Sequence, residues 1–370
     1  MVRGRRRPFG LATIGTALVL VATACAGGGG HQSSGPTTTD IIDQATPGGE
    51  RPVQFTGAGK VSLSGTFSVP TTPGPASAAS VPGVLFVPTL GSGTRDGPIS
   101  VTDVPDPIAQ DLAKSFTGAG MATLRYDRRG TGESKLDPGV SLSFDDMVAD
   151  AKAGLDLLSQ RKETSGSKLA VVGYGEGALV ALRLAATDPR VNRVVLASPV
   201  GRPLVDVQAS RLSAAYGPQS GDALHATVAS MLATGRLPAL EDMRSEFRPL
   251  LPAGEIPFLT QVYSLDPAAE AAKVQVPVLV AIGSGSTGSG PADADRLAQA
   301  LGGRAEVVVG ANDDESLEQV KPPLVNDPSD PTSPNHEHGM GAPSTTGERD
   351  ATLLGRMSSW LGTGLGAHAA

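Results

Sequence analysis

The chain is poor in cysteine: Cys25 is the only one among 370 residues. A lone cysteine excludes an intrachain disulfide. The sequence also lacks a basic run outside its extreme N-terminus, and its formal net charge is −7. Nothing in it carries the electrostatic footprint of a nucleic-acid partner. Charged residues make up only 18%, against 39% hydrophobic. That balance excludes wholesale disorder and permits a globular core. Glycine (47) and proline (30) are abundant and gather in a few stretches. The length suits one large domain or two small ones.

The first 24 residues read as a signal peptide. Arg3, Arg5, Arg6 and Arg7 form a positive n-region, and Leu11 to Val21 form an apolar h-region. That run is too short to span a bilayer, which takes about 20 residues. Ala22-Thr23-Ala24-Cys25 resembles a bacterial lipobox, with Ala22 in place of the usual Leu. The resemblance implies cleavage before Cys25 and lipidation of that residue. Two or three acyl chains anchor a protein stably, since each buried methylene contributes about 0.8 kcal/mol. Arg6-Arg7-Pro8-Phe9 is similar to a twin-arginine export motif, which basic n-regions often produce by composition. Residues 26–52 are rich in Gly, Ser, Thr and Pro and read as a flexible tether. The expected location is the extracytoplasmic face of a bacterial cell membrane, and the Gly/Ala/Pro content points to an actinobacterial source.

Beyond the tether, apolar runs alternate with amphipathic segments. Val53–Thr56 and Val61–Val69 are β-rich and flank Gly57-Ala58-Gly59, as in a hairpin. Residues 84–87, 121–126, 169–172, 194–197, 278–282 and 306–309 read as strands. The continuous apolar runs among them suit strands buried on both faces. Helices are expected over 106–116, from a cap at Ser143, and over 176–187, 292–301 and 351–361. This alternation predicts an α/β fold with a doubly wound, mostly parallel sheet. A core over 53–200 and 271–370 is interrupted by a helical cap at 201–270. Residues 321–349 read as a long polar, Pro-rich loop within the core.

Four stretches, in this order, resemble the α/β-hydrolase superfamily, in particular bacterial esterase-like members with a helical cap. VSLSGTFSVP with PGVLFVPTLGSGTRDG is similar to the opening strands and oxyanion loop, and LRYDRRGTGES (124–134) to the Asp-x-Arg-Gly-x-Gly-x-Ser turn. LAVVGYGEGALVALRLA (169–185) resembles the nucleophile elbow, and YSLDPAAEAAKVQVPVLVAIGS (263–284) the segment leading to the acid-bearing strand. The resemblance covers most of residues 60–315.

It also shows what is missing. The elbow G-x-S-x-G here reads Gly173-Tyr174-Gly175-Glu176-Gly177, with Gly175 at the serine position. Glycine has no nucleophilic atom, and it tolerates the dihedrals of a sharp turn at little cost. The loop after VPVLVAIGS holds no carboxylate, and Ser286 best matches the acid. Gly310-Ala311-Asn312-Asp313 puts Asp313 where the histidine should stand. An aspartate cannot serve a serine nucleophile as a near-neutral base. The triad positions Gly175, Ser286 and Asp313 are all degenerate. Backbone donors near Leu90, Gly91 and at Glu176 remain candidates for an oxyanion or pocket role, with Tyr174 beside them as lining or packing.

Other candidates weigh less. His336-Glu337-His338 has no third partner fixed nearby, so no metal is expected, nor any cofactor. His31, His225 and His368 read as solvent-facing or packing residues. Asp313, Asp314 and Glu315 form an acidic run read as a solvated loop, or, more sharply, a site for a cation. Ser198 ends a strand and reads as structural. Two functions follow. One is a lipid-anchored, non-catalytic binding protein for an acyl or lipid-like ligand or an envelope partner. The other is a carboxylesterase-type hydrolase with relocated residues, Ser92 or Ser198 with a loop histidine. A well-formed apolar pocket favours ligand binding.

Overall fold

A computed structural model describes residues 49–70, 80–91, 93–98, 106–286, 288–320 and 345–367. The signal peptide, Cys25, His31, Ser92, His336, His338 and His368 lie outside the described residues.

The chain opens with β1 (Glu50–Thr56) and β2 (Ser62–Ser68), paired antiparallel from Glu50↔Ser68 to Thr56↔Ser62. Between them Ala58–Lys60 makes a single 3-10 turn. Six more strands complete the sheet: β3 (Val81–Val87), β4 (Ala122–Tyr126), β5 (Thr164–Tyr174), β6 (Val191–Ala197), β7 (Val278–Gly283) and β8 (Ala305–Gly310). Their order is β1-β2-β4-β3-β5-β6-β7-β8. β2 meets β4 antiparallel, and from β4 onward every pairing is parallel.

The helices cover both faces, which is why the central strands are apolar on both sides. Val84, Phe86, Val172 and Leu279 pack against α1 (Ile108–Gly118) and against a C-terminal helix over Ala351–Leu365. Leu85, Val171, Val194 and Val280 point the other way, to α2 (Phe144–Gln160), α3 (Gly177–Thr187) and a helix over Pro291–Leu301. Each fully buried side chain of this size contributes about 1.5–3 kcal/mol relative to exposure. The Ser143 hydroxyl accepts from the Asp146 N–H at 3.4 Å and caps α2 as the sequence predicts. Asp145 and Asp146 in its first turn suit the positive end of the helix dipole.

Between β6 and β7 the chain leaves the sheet as α4 (Leu204–Tyr216), α5 (Pro218–Thr234), α6 (Ile256–Tyr263) and the short α7 (Pro267–Ala271). These helices roof the C-terminal ends of the parallel strands. Gln261 on α6 accepts from the Phe144 N–H at 2.7 Å, and Arg183 on α3 donates to Glu270 on α7 at 2.6 Å. Past α7 come α8 (Pro291–Leu301) and α9 (Ala351–Leu365). Arg202, just before α4, reaches Asp293 on α8 at 3.0 Å.

Two features depart from the sequence-based expectation. β5 runs over eleven residues rather than four. A small antiparallel pair, β9 (Glu318–Val320) with β10 (Thr345–Arg349), closes the ends of the 321–344 segment. Both of these strands are polar and short, so no apolar alternation marks them.

Candidate functional site

β5 ends at Tyr174 and α3 begins at Gly177, so the whole reversal from strand to helix falls on Gly175 and Glu176. Gly175 has φ +55, in the left-handed region. Its N–H donates to the Ala197 carbonyl at 3.0 Å, and its carbonyl accepts from the Ala178 N–H at 3.2 Å. The three glycines of the motif differ in surroundings. A Cβ on Gly173 would lie 2.7 Å from the Ala178 Cα, and one on Gly177 would lie 2.6 Å from the Pro88 carbonyl oxygen. Both are demanded by packing. A Cβ on Gly175 would meet only Thr89 Oγ1, at 3.7 Å. The elbow is intact, with room for a side chain at its apex, and the apex carries none.

The turn after β4 is held by buried charge. Arg129 and Asp150 are both 2% exposed, joined by two hydrogen bonds of 2.6 Å. Asp127 accepts from Arg95 Nη2 at 2.6 Å and from the Glu133 N–H at 2.8 Å. Burial opposes ionisation of Asp127, but the Arg95 guanidinium and the two backbone donors hold its carboxyl below the usual range. Thr131 Oγ1 donates to the Gly93 carbonyl at 2.7 Å, which fastens this turn to the loop after β3.

Under the cap lies a cavity of about 810 Å³. Leu90, Gly91 and Glu176 form its floor, with Arg128 at one side. Leu204, Leu212, Leu250, Phe258, Leu259 and Val262 supply an apolar roof. Its size falls within the roughly 300–1,000 Å³ typical of small-molecule sites. The Glu176 carboxylate takes a short hydrogen bond from Thr89 Oγ1 and faces Arg211 Nη1 of α4 at 3.7 Å.

The candidate residues do not all converge here. Leu90, Gly91 and Glu176 line the cavity; Tyr174 does not. Its ring packs with the α1 and α9 layer, and its hydroxyl donates to the Glu315 carbonyl at 3.3 Å. Burial pushes that phenol well up, so it stays a neutral donor. Ser286 stands half-buried in the loop after β7, near the Glu315 carboxylate.

Asp313 is fully buried rather than solvated, which corrects the reading of the acidic run as a solvent-facing loop. Its carboxyl group packs under Gly310, whose Cβ, if present, would fall on Oδ2, with Leu353 of α9 alongside. Among the described residues neither carboxyl oxygen has a hydrogen-bond donor within reach. Burial, with Asp350 and Asp314 nearby, pushes this carboxyl up to about 6. It is aimed at the helix layer and not at the cavity. Asp314 accepts from the N–H groups of Ser316 and Glu318 at 2.8 and 3.0 Å, and Glu315 from that of Gly288 at 2.7 Å. Among the described residues no three His, Cys, Asp or Glu side chains form a metal-ligand group.

Ser198 has φ +46 and a buried hydroxyl without a partner among the described residues. His225, on α5, places Nε2 3.6 Å from Asp206 Oδ1 and is absent from the cavity wall. Thr89, Arg128 and Arg211 escaped sequence reasoning. They approach the elbow only through the tertiary fold, although Thr89 and Arg128 each sit within a recognisable motif.

An eight-stranded, mostly parallel sheet with an elbow after β5 and helices on both faces is the α/β-hydrolase fold. Comparison with known proteins agrees. The family described as "Serine aminopeptidase, S33" matches residues 108–241. Esterase EstD of Thermotoga maritima is 30% identical over 150 residues, which are 40% of this chain and 33% of that protein. The chain thus spans about a third of that relative's length. Among solved structures, DcsB in complex with its substrate analogue superposes with a TM-score of 0.54 at 14% identity, covering 86% of this chain and all 100% of that one. The α/β-hydrolase GrgF from Penicillium sp. sh18 gives 0.51 at 16% identity, over 72% of this chain and 91% of that one. The chain thus has the α/β-hydrolase fold, and over part of its length its sequence is similar to that of an esterase and of the S33 family.

Proposed function

We propose that this protein is a lipid-anchored, extracytoplasmic α/β-hydrolase-like pseudoenzyme that binds an acyl or lipid-like molecule without turning it over. The observation that carries this reading is the elbow: Gly173 and Gly177 are packed as the turn requires, yet the open apex at Gly175 has no side chain. No acyl-enzyme can form there. The inward-facing Asp313 supports the same reading, since it offers no proton acceptor to the cavity. The apolar roof of the cavity favours ligand binding over a pure scaffolding role. Anchorage rests on the lipobox-like Ala22–Cys25 segment. An envelope protein partner is the weaker alternative, because the cleft is open rather than filled.

An active carboxylesterase-type hydrolase is the second reading, favoured by the fold's relatives alone. It needs a nucleophile other than Gly175. Ser198 serves it poorly, being buried with no base in hydrogen-bond reach among the described residues. The test is turnover of short and medium p-nitrophenyl esters together with fluorophosphonate labelling. We expect rates at the chemical background and no labelled serine. Turnover lost on changing Ser92, Ser198, His336 or His338 establishes the second reading instead.

A further inference from the structure

The arginines around the cavity differ in how they are satisfied. Arg129 is locked to Asp150, Arg95 to Asp127, and Arg244 to Glu246 at 2.7 Å. Arg211 faces Glu176 at 3.7 Å. Arg128 has no ion pair within 4 Å among the described residues, and its Nε and Nη1 are buried without any hydrogen-bond partner. It lines the cavity, and its backbone N–H donates to the Gly93 carbonyl at 3.2 Å. The stem is therefore fixed beside the loop carrying Leu90 and Gly91. A guanidinium cannot shed its charge to escape burial, so its unmet donors are a standing cost. That cost is removed by an anion with two oxygens matching the fork.

The rest of the wall limits what the anion can belong to. Phe258, Leu259, Val262 and Leu250 surround the volume above the floor with apolar surface. Glu255 also lines the cavity, and its charge is the acidic one that acts on Arg128 from the cap. It acts through space, without forming a pair. A second negative group on the ligand would meet repulsion from Glu255 and Glu176.

We propose that the cavity binds a singly headed anionic amphiphile, with a carboxylate or phosphate seated on Arg128 and an acyl or alkyl chain under the cap. This rests on the reading of the cavity as the ligand site and adds the chemistry of its head group. A neutral ester leaves the guanidinium unsatisfied, so a free acid is preferred to its ester.

The test uses the lipid-free chain from residue 26 onward and three probes of equal chain length: decanoate, decyl phosphate and 1-decanol. Binding is measured by calorimetry at neutral pH. At least one anion is expected to bind ten-fold or more tightly than the alcohol. Arg128→Gln should bring that anion to the alcohol's level and leave 1-decanol unchanged, whereas Arg128→Lys should recover part of the loss. Glu255→Gln should tighten the anion several-fold, which gives an answer even if Arg128→Gln folds poorly. Preference for decanoate or for decyl phosphate identifies the head. Equal binding of all three, or a loss shared equally by all three in Arg128→Gln, overturns the proposal and leaves the non-catalytic reading standing. Ester turnover by a protein that keeps the anion preference and its loss in Arg128→Gln would sink the non-catalytic reading but not the anion site. No binding of any probe overturns the anion site and the acyl-binding part of the proposed function, and leaves the absence of turnover to the ester assay.

Discussion

At the scale of single residues, the three glycines of the elbow respond to different forces. Gly177 has no positive φ, but a Cβ there would lie 2.6 and 2.9 Å from the carbonyl oxygens of Pro88 and Val87. Backbone cannot swing aside as a side chain can, so Gly177→Ala forces β3 and α3 apart. Gly175 presents the opposite case: open space, but φ +55. Serine there meets only the left-handed penalty of about 1–2 kcal/mol. We therefore expect Gly175→Ser to fold and to lose about 1–2 kcal/mol in urea unfolding. Gly177→Ala should lose about 3 kcal/mol, the upper end for an overpacked core. Equal losses at the two positions would show that strain, not space, dominates both. Gly175→Ser should also stay inactive toward p-nitrophenyl esters, because a serine without a base remains a poor nucleophile. This variant separates the missing nucleophile from the missing base.

At the scale of elements, Asp313 lies buried between the loop after β8 and the start of α9. A carboxyl pushed up to about 6 in the native protein, against an ordinary value of 3.8, binds its proton more tightly folded than unfolded. Its contribution is therefore fully favourable below about pH 4 and is lost as pH rises through 6. Removing the charge should remove this slope. Asp313→Asn is expected to be more stable than the parent at pH 8 by on the order of 1–3 kcal/mol, and to match it near pH 4. Denaturant unfolding of both proteins across that range checks this, and parallel curves would show that Asp313 is not the group that titrates.

The same loop marks the limit of what the sequence carried. The centres of β3 to β7 were legible because a strand covered on both faces is largely apolar there, the edge strand β8 by its Val307–Val309 run, and the helices because each keeps one apolar face. The elbow was legible because the glycines on either side of Gly175 are fixed by contact distance. Asp313 was found by its place in a turn, but its direction was not. Whether a loop carboxylate faces solvent or a helix layer depends on Leu353 and Asp350, some forty residues later in the chain. Arg128 was unremarkable for a similar reason. It neighbours Arg129, and only the fold shows that Asp150 satisfies one guanidinium while, among the described residues, Nε and Nη1 of the other stay unpartnered.

At the scale of the whole molecule, the binding reading and the anchoring reading suit each other. A cavity built for an amphiphile is most useful where amphiphiles are delivered, and a lipidated N-terminus would hold the folded part at a membrane surface. Among the described residues no helix is long and apolar enough to cross a membrane, and the anchor proposed here is Cys25. A fatty-acid analogue with an alkyne tag, fed to a bacterium expressing the full chain, tests this directly. The parent protein should carry the label and Cys25→Ala should lose it. Partition into detergent alone would be a poorer readout, because an unprocessed precursor keeps the apolar Leu11–Val21 run and could stay with the membrane for that reason. An unlabelled parent would remove the anchor from the proposal. The cavity, the elbow and Arg128 would keep their meaning, as a carrier free in the extracytoplasmic space rather than a receptor held at its boundary.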